Sequence, residues 1–149
     1  MKKKRIIFYI CVVTAVVCAA ILVIMGIQRM RQGQLTEQAQ EQAVVSEETG
    51  IEEVDFSALR KLNEDIYAWI YIPGTEVNYP ILQSSEDEAE DYYLDHNLDG
   101  SSGKPACIYT QKRNSRDFTD PNTVIYGHNM RDGSMFRALH DYQDAEFFA

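Results

Sequence analysis

The 149 residues carry 14 Lys and Arg against 23 Asp and Glu, and the formal charge of −9 is unevenly spread. Residues 1–31 hold six basic residues and no acid, whereas the rest holds 8 basic and 23 acidic residues, a balance of −15. A body this acidic excludes nucleic acid as a partner, because a phosphate-binding surface needs the opposite sign; the acidic excess reads as a solvated surface.

Residues 1–5 form a basic cytoplasmic segment, and Ile6–Ile27 follow as a 22-residue run without a charge. At about 1.5 Å rise per residue the run spans roughly 33 Å, enough for the hydrocarbon core of a bilayer. The positive-inside rule keeps Lys2–Arg5 in the cytoplasm and puts the body outside, and Arg29 and Arg31 weaken that bias without reversing it. A cleaved signal peptide is the rival, with Val-Cys-Ala-Ala as its small-residue cleavage site, but its apolar core usually runs only about 7–15 residues. An uncleaved single-pass anchor in a plasma membrane is therefore expected. Cys11 and Cys18 lie in this run on one helical face, and Cys107 is the only cysteine beyond it, so no disulfide framework is expected. No lipobox precedes Cys18, which argues against lipidation.

Residues 28–54 are rich in Gln and Glu and poor in large apolar side chains, which predicts a polar linker or stalk that anchors no core. A globular unit is expected over 55–149. Phe56, Leu59, Leu62 and Ile66 recur at helical spacing, with Asp55 or Ser57 as the cap. Tyr67–Ile72 reads as a strand closed by the Pro73-Gly74 turn. Val77–Leu82 reads as a second strand, at an edge or bulged at Pro80, which has no N–H to donate. Glu86–Leu94 is predicted as a short acidic helix, followed by a polar loop over 97–103. Ala106–Thr110 and Thr123–Tyr126 are two more strands, joined by a charged surface loop. Ser134–Tyr142 is predicted as a helix with Met135, Phe136 and Leu139 inward, and Asp144 caps a last turn. The architecture is thus membrane-anchored and mainly β with peripheral helices, and four strands leave a barrel incomplete.

The chemistry gathers at one place. The strand Thr123–Tyr126 ends at Gly127 and delivers His128 onto a loop that also holds Gly133; a histidine there is a natural proton carrier. Tyr126, two residues earlier on the same strand face, is a candidate groove residue, and Asn129 follows directly. His96 reads as a loop-ordering residue and His140 as a helix-surface residue near Asp141 and Asp144. The three histidines lack metal-ligand spacing and no Cys-x-x-Cys accompanies them, so no metal is expected. The acidic stretch 86–91 lacks the glycine and alternating ligands of a calcium loop and reads as a solvated helix face. Trp69 reads as core or groove wall. Cys107 reads as a small buried apolar residue.

Three blocks in order carry a family resemblance. The first runs from Asp55-Phe56 through Ala68-Trp69-Ile70, Ile72-Pro73-Gly74-Thr75 and Asn78-Tyr79-Pro80-Ile81. The second is Tyr92-Tyr93-Leu94-Asp95-His96-Asn97 with Gly100. The third is Ile125-Tyr126-Gly127-His128-Asn129-Met130 through Asp132-Gly133-Ser134-Met135-Phe136. Together they resemble class B sortases, membrane-anchored cysteine transpeptidases that attach secreted proteins to the bacterial cell wall. The resemblance implies a sortase-type β-barrel, with His128 as the proton donor and acceptor. It implies a cysteine thiolate that attacks the Thr carbonyl of a C-terminal sorting signal, and an arginine that stabilises the oxyanion. Its partners are the membrane, secreted proteins bearing the signal and a peptidoglycan precursor amine; no cofactor is implied. The family carries its cysteine in Thr-Leu-x-Thr-Cys and its arginine on the next strand, both after the His, and neither motif occurs here. The chain is therefore expected to be an N-terminal part that is inactive alone. The alternative is a membrane-tethered module of degenerate sortase fold that binds a peptide or wall component without catalysis.

Overall fold

The computed structural model describes residues 2–46 and 50–148. The apolar run does not stop at Ile27. One continuous helix, α1, extends over Lys2–Gln40, and its apolar part is long and hydrophobic enough to cross a membrane. The side chains of that part are exposed throughout, from Ile6 to Ile27. A hairpin follows, β1 (Ala43–Ser46) antiparallel to β2 (Gly50–Val54).

Helix α1 and this hairpin depart from the expected linker over 28–54. Gln32 and Ala39 are buried, and Leu35 packs on the same core as Ala39, Leu59, Ile66 and Leu82. These residues are few, so average composition hid them. A one-in-four or one-in-seven spacing on an already nucleated helix is enough to dock it.

Helix α2 (Phe56–Leu62) begins at Asp55, whose carboxylate accepts from the N–H groups of Ser57 and Ala58 at 2.9 Å each. That satisfies two donors the first turn leaves free. Strands β3 (Ile66–Tyr71), β4 (Asn78–Leu82), β5 (Ile108–Thr110) and β6 (Ile125–Tyr126) then form a single mixed sheet in that order. β3–β4 and β5–β6 are antiparallel, and β4–β5 is parallel. The sheet is open and no barrel closes among the described residues.

Pro80 therefore lies in an interior strand, not at an edge, and the irregularity falls between Ile66 and Ala68 instead. The Ile72 N–H donates to the Val77 carbonyl at 2.9 Å, and alternation from that bond makes Trp69–Pro80 a non-hydrogen-bonded pair. The missing donor thus faces the β5 side, where pairing starts only at Ile81. β5 is shorter than expected because Ala106 adopts φ 62° and gives its N–H to the Asn97 side chain at 2.9 Å.

The predicted helix over 86–94 is absent apart from a 3-10 turn at Tyr92–Leu94. The Lys112 ammonium collects the carbonyls of Ser85, Glu86 and Glu88 at 3.0, 3.2 and 2.7 Å. Helical geometry would align those carbonyls along an axis rather than converge them on one cation. The helix expected at Ser134–Tyr142 is a 3-10 helix, Phe136–Gln143, with a period of about three residues. That period buries Ala138 and leaves Leu139 39% exposed. Asp144 does cap the last turn, α3 (Ala145–Phe148), through the Glu146 N–H at 2.8 Å.

The core has two layers, one on each sheet face. Ile66, Leu82, Cys107 and Tyr109 meet α1, α2 and Tyr93 on one side. Tyr79, Ile81 and Ile108 meet Met135 and Ala138 on the other. Alternate residues of β4 and β5 supply the two layers, as period-2 strands require.

Candidate active site around His128

Strand β6 has only two residues, yet it places His128 closely. Ile125 belongs to the Met135 layer and Tyr126 to the Tyr109 layer, where the two tyrosine rings stack at 5.2 Å. Gly127 next passes under Ile108 and Phe136. A Cβ on it would sit against Ile108 Cδ1 and 2.7 Å from Phe136 Cδ2, so no side chain fits. Gly127→Ala is accordingly expected to cost about 1–3 kcal/mol by overpacking, read as a lower urea midpoint with an unchanged slope. An unchanged midpoint would show that Ile108 and Phe136 yield freely.

Past Gly127 the chain makes a tight return. The His128 carbonyl accepts from the Phe136 N–H at 2.9 Å, and Asn129 bridges to Met135. The tip turns at Gly133, whose φ of 93° favours glycine. Asp132 accepts from the Ser134 hydroxyl at 2.6 Å and from its N–H at 3.2 Å, and these bonds hold the Asp132 carboxyl below its usual range. Arg29 of α1 pairs with the same carboxylate. Tyr79 accepts from the buried Met135 N–H at 3.2 Å. His128 thus rides on a loop fastened to β4, to the 3-10 helix and to α1.

The imidazole itself lies half-buried. Its Nε2 stands 2.6 Å from the Leu94 carbonyl. A carbonyl only accepts, so Nε2 carries the proton, and in the neutral ring Nδ1 then holds the lone pair. In that tautomer Nδ1 is the position that takes a proton, and the imidazolium so formed can give it back.

The three residues singled out in sequence are not equally gathered. His128 lies two residues past Tyr126, beyond the end of the strand, and the Tyr126 hydroxyl reaches Gln111 Oε1 at 3.4 Å. Asn129 is exposed, and its amide is engaged with His140 Nε2 at 2.8 Å, away from the His128–Leu94 contact. His96 orders its own loop: it stacks on Tyr92 at 3.9 Å and bonds the Tyr92 carbonyl at 2.8 Å. The Leu94 carbonyl and Gln111 carry no signal in sequence, since a backbone acceptor has no residue type and Gln111 lies in a loop. Among the described residues no three His, Cys, Asp or Glu side chains are grouped as a metal would require.

Cys107 is 6% exposed in the Tyr93–Tyr109 layer, and burial pushes its thiol well up. Reactivity requires the thiolate, so this position disfavours a nucleophile. The folded chain is expected to leave Cys107 unalkylated by iodoacetamide at pH 8, with modification appearing only in denaturant. The raised folded pKa also gives a sign: its stabilising contribution is full below the unfolded thiol's 9.0 and is lost as pH rises above it. Rapid alkylation of folded protein would contradict the burial.

Sequence comparison shows what the chain is similar to. The chain is 48% identical over 89 residues to sortase B of Listeria monocytogenes, a match covering 60% of the chain and 35% of that protein. Over this stretch the chain is homologous to class B sortases. Sortase B of Staphylococcus aureus is 34% identical over 93 residues, covering 62% of the chain and 37% of that protein. A structure of sortase B from Bacillus anthracis superposes with a TM-score of 0.65 at 34% identity, over 82% of the chain and 58% of the solved one. No family model matches the chain. The homologous stretch amounts to about a third of the length of the curated sortase B proteins.

Proposed function

We propose that this chain supplies the acid–base histidine of a membrane-anchored class B sortase. In the complete enzyme a cysteine thiolate attacks the Thr carbonyl of a sorting signal at the end of a secreted protein. The thioester forms as the C–N bond breaks, and the leaving amine takes the proton that His128 received from the cysteine thiol. An amine of a peptidoglycan precursor then attacks the thioester and gives its proton to His128, which frees the thiolate. An arginine steadies the oxyanion in both steps. No cofactor takes part.

One observation carries this reading: His128 sits at the end of β6 on a fastened loop, with a defined proton on Nε2, in a sheet that superposes on sortase B. A substrate complex exists for the S. aureus sortase B, which supports a substrate-binding role for this chain. Tyr126 flanks the histidine as a groove residue, while Asn129 turns to His140. Cys107 is structural, and the nucleophile and arginine come from strands beyond β6 that these 149 residues do not include. The chain alone is then inactive. Helix α1 is the anchor, with Lys2–Arg5 cytoplasmic and the sheet outside.

The test is to continue residues 1–148 with the Cys and Arg strands of the Listeria sortase B. The joined protein is expected to form a thioester with a sorting peptide, seen by mass spectrometry, and to pass the peptide to an added amine. A folded joined protein that binds the peptide but forms no thioester would leave the non-catalytic binding module as the better reading.

A further inference from the structure

We propose that the cleft between the outer end of the apolar run and the loop over 97–104 binds the phosphodiester headgroup of a membrane phospholipid. This rests on α1 being a membrane span.

Helix α1 passes from its apolar part into the domain without a break. Arg29, two residues past Ile27, already pairs with Asp132, and Gln32 donates to Asp99 at 2.8 Å and Ser101 at 3.2 Å. Five residues of helix advance only about 7.5 Å. The domain consequently has no stand-off from the bilayer, and the loop over 97–104 lies at headgroup level.

A cleft of about 440 Å³ opens there, between Met25, Gly26, Gln28 and Arg29 on the helix and Ser102 and Lys104 on the loop. Its two ends differ in chemistry. Met25, 58% exposed, and the open surface over Gly26 form an apolar floor that continues the membrane run. Lys104 offers an exposed cation and Gln28 a hydrogen-bond donor, which suit a phosphodiester oxygen, beside Arg29, which is paired with Asp132. An acyl chain below and a phosphate above match that order.

The charge balance sharpens the point. Residues beyond 31 carry −15, so this body as a whole is repelled by an anionic leaflet. Close approach needs cations where the two surfaces meet. Arg29 faces Asp132, and Arg31 faces Asp99 at 3.4 Å; Glu37 and Glu76 line the adjoining cleft. No carboxylate lines the headgroup cleft itself among the described residues, and Lys104 is the exposed cation at its rim.

The full chain in mild detergent, titrated with short-chain phosphatidylglycerol and followed by native mass spectrometry, is expected to bind one lipid. Lys104→Glu is expected to weaken that binding at least about tenfold. Lys104 is exposed, so circular dichroism should match the parent. Inorganic phosphate at the same concentrations is expected to leave lipid binding unchanged. Equal binding by the parent and Lys104→Glu overturns the site, and competition by inorganic phosphate overturns the lipid as its ligand. Alkaline carbonate extraction of native membranes separates the underlying premise: the chain should stay in the pellet, and its release defeats the span and the headgroup site together.

Discussion

His128→Ala in the joined, complete enzyme is expected to lower peptide transfer by about 10²–10⁴-fold, the range for removing a positioned general acid and base. Stability should barely change. The imidazole is half-buried, and its one named bond, to the Leu94 carbonyl, is of a kind worth only about 0.5–1.5 kcal/mol net. The loop keeps its other fastenings, because the Phe136, Tyr79 and Asp132 contacts use backbone or different side chains. Cys107→Ala should behave in the opposite way. It removes a buried sulfur from the Tyr93–Tyr109 layer and so lowers the melting temperature, while transfer persists. Transfer retained in His128→Ala would remove the histidine from the chemistry. Activity lost in Cys107→Ala at unchanged stability would move the nucleophile to Cys107.

Removing residues 1–54 is expected to leave a molten or aggregating protein, whereas a form starting at Met30 should fold more cooperatively. The reason lies in the end of α1 and the hairpin after it. Ala39 is fully buried and Leu35 packs beside it against Leu59, Ile66 and Leu82. Gln40 donates to the Asn78 carbonyl at 2.8 Å, and the Gln42 carbonyl accepts from the Asp55 N–H at 2.8 Å, just before α2. Burying one Leu stabilises by about 1.5–3 kcal/mol and each hydrogen bond by about 0.5–1.5 kcal/mol. The sum is on the order of 5 kcal/mol, comparable with the whole stability of a small domain. Exposed strand edges then favour aggregation. Thermal melts of the two truncated proteins decide it: equal, sharp transitions would show that α1 is dispensable to the fold.

Much of the fold was legible because it rests on local periodicity. The Asp55 cap, the apolar spacing of Phe56, Leu59 and Leu62, and the four β-branched or aromatic strand segments all lie where their patterns put them, within a few residues. The same logic failed where a distant partner outbid local propensity. Lys112 drew the 85–88 carbonyls out of a helix, and Asn97 held Ala106 off the sheet. Neither partner is near in sequence, so no window of residues contains the information.

Sequence singled out the histidine on which the proposed site rests: one just past a strand end, followed by a glycine turn, within a motif order that matches class B sortases. It also determined the apolar run of α1 and the burial of Cys107, since both follow from side-chain chemistry alone. Only the tertiary structure decided that Nε2 of His128 meets the Leu94 carbonyl and that Asn129 turns to His140. Only it decided that residues 29–40 dock on the sheet rather than hold it away, with Arg29 fastened to the histidine loop. These are contacts between segments up to 103 residues apart. Such contacts depend on shape and on backbone groups every residue shares, and composition does not encode them.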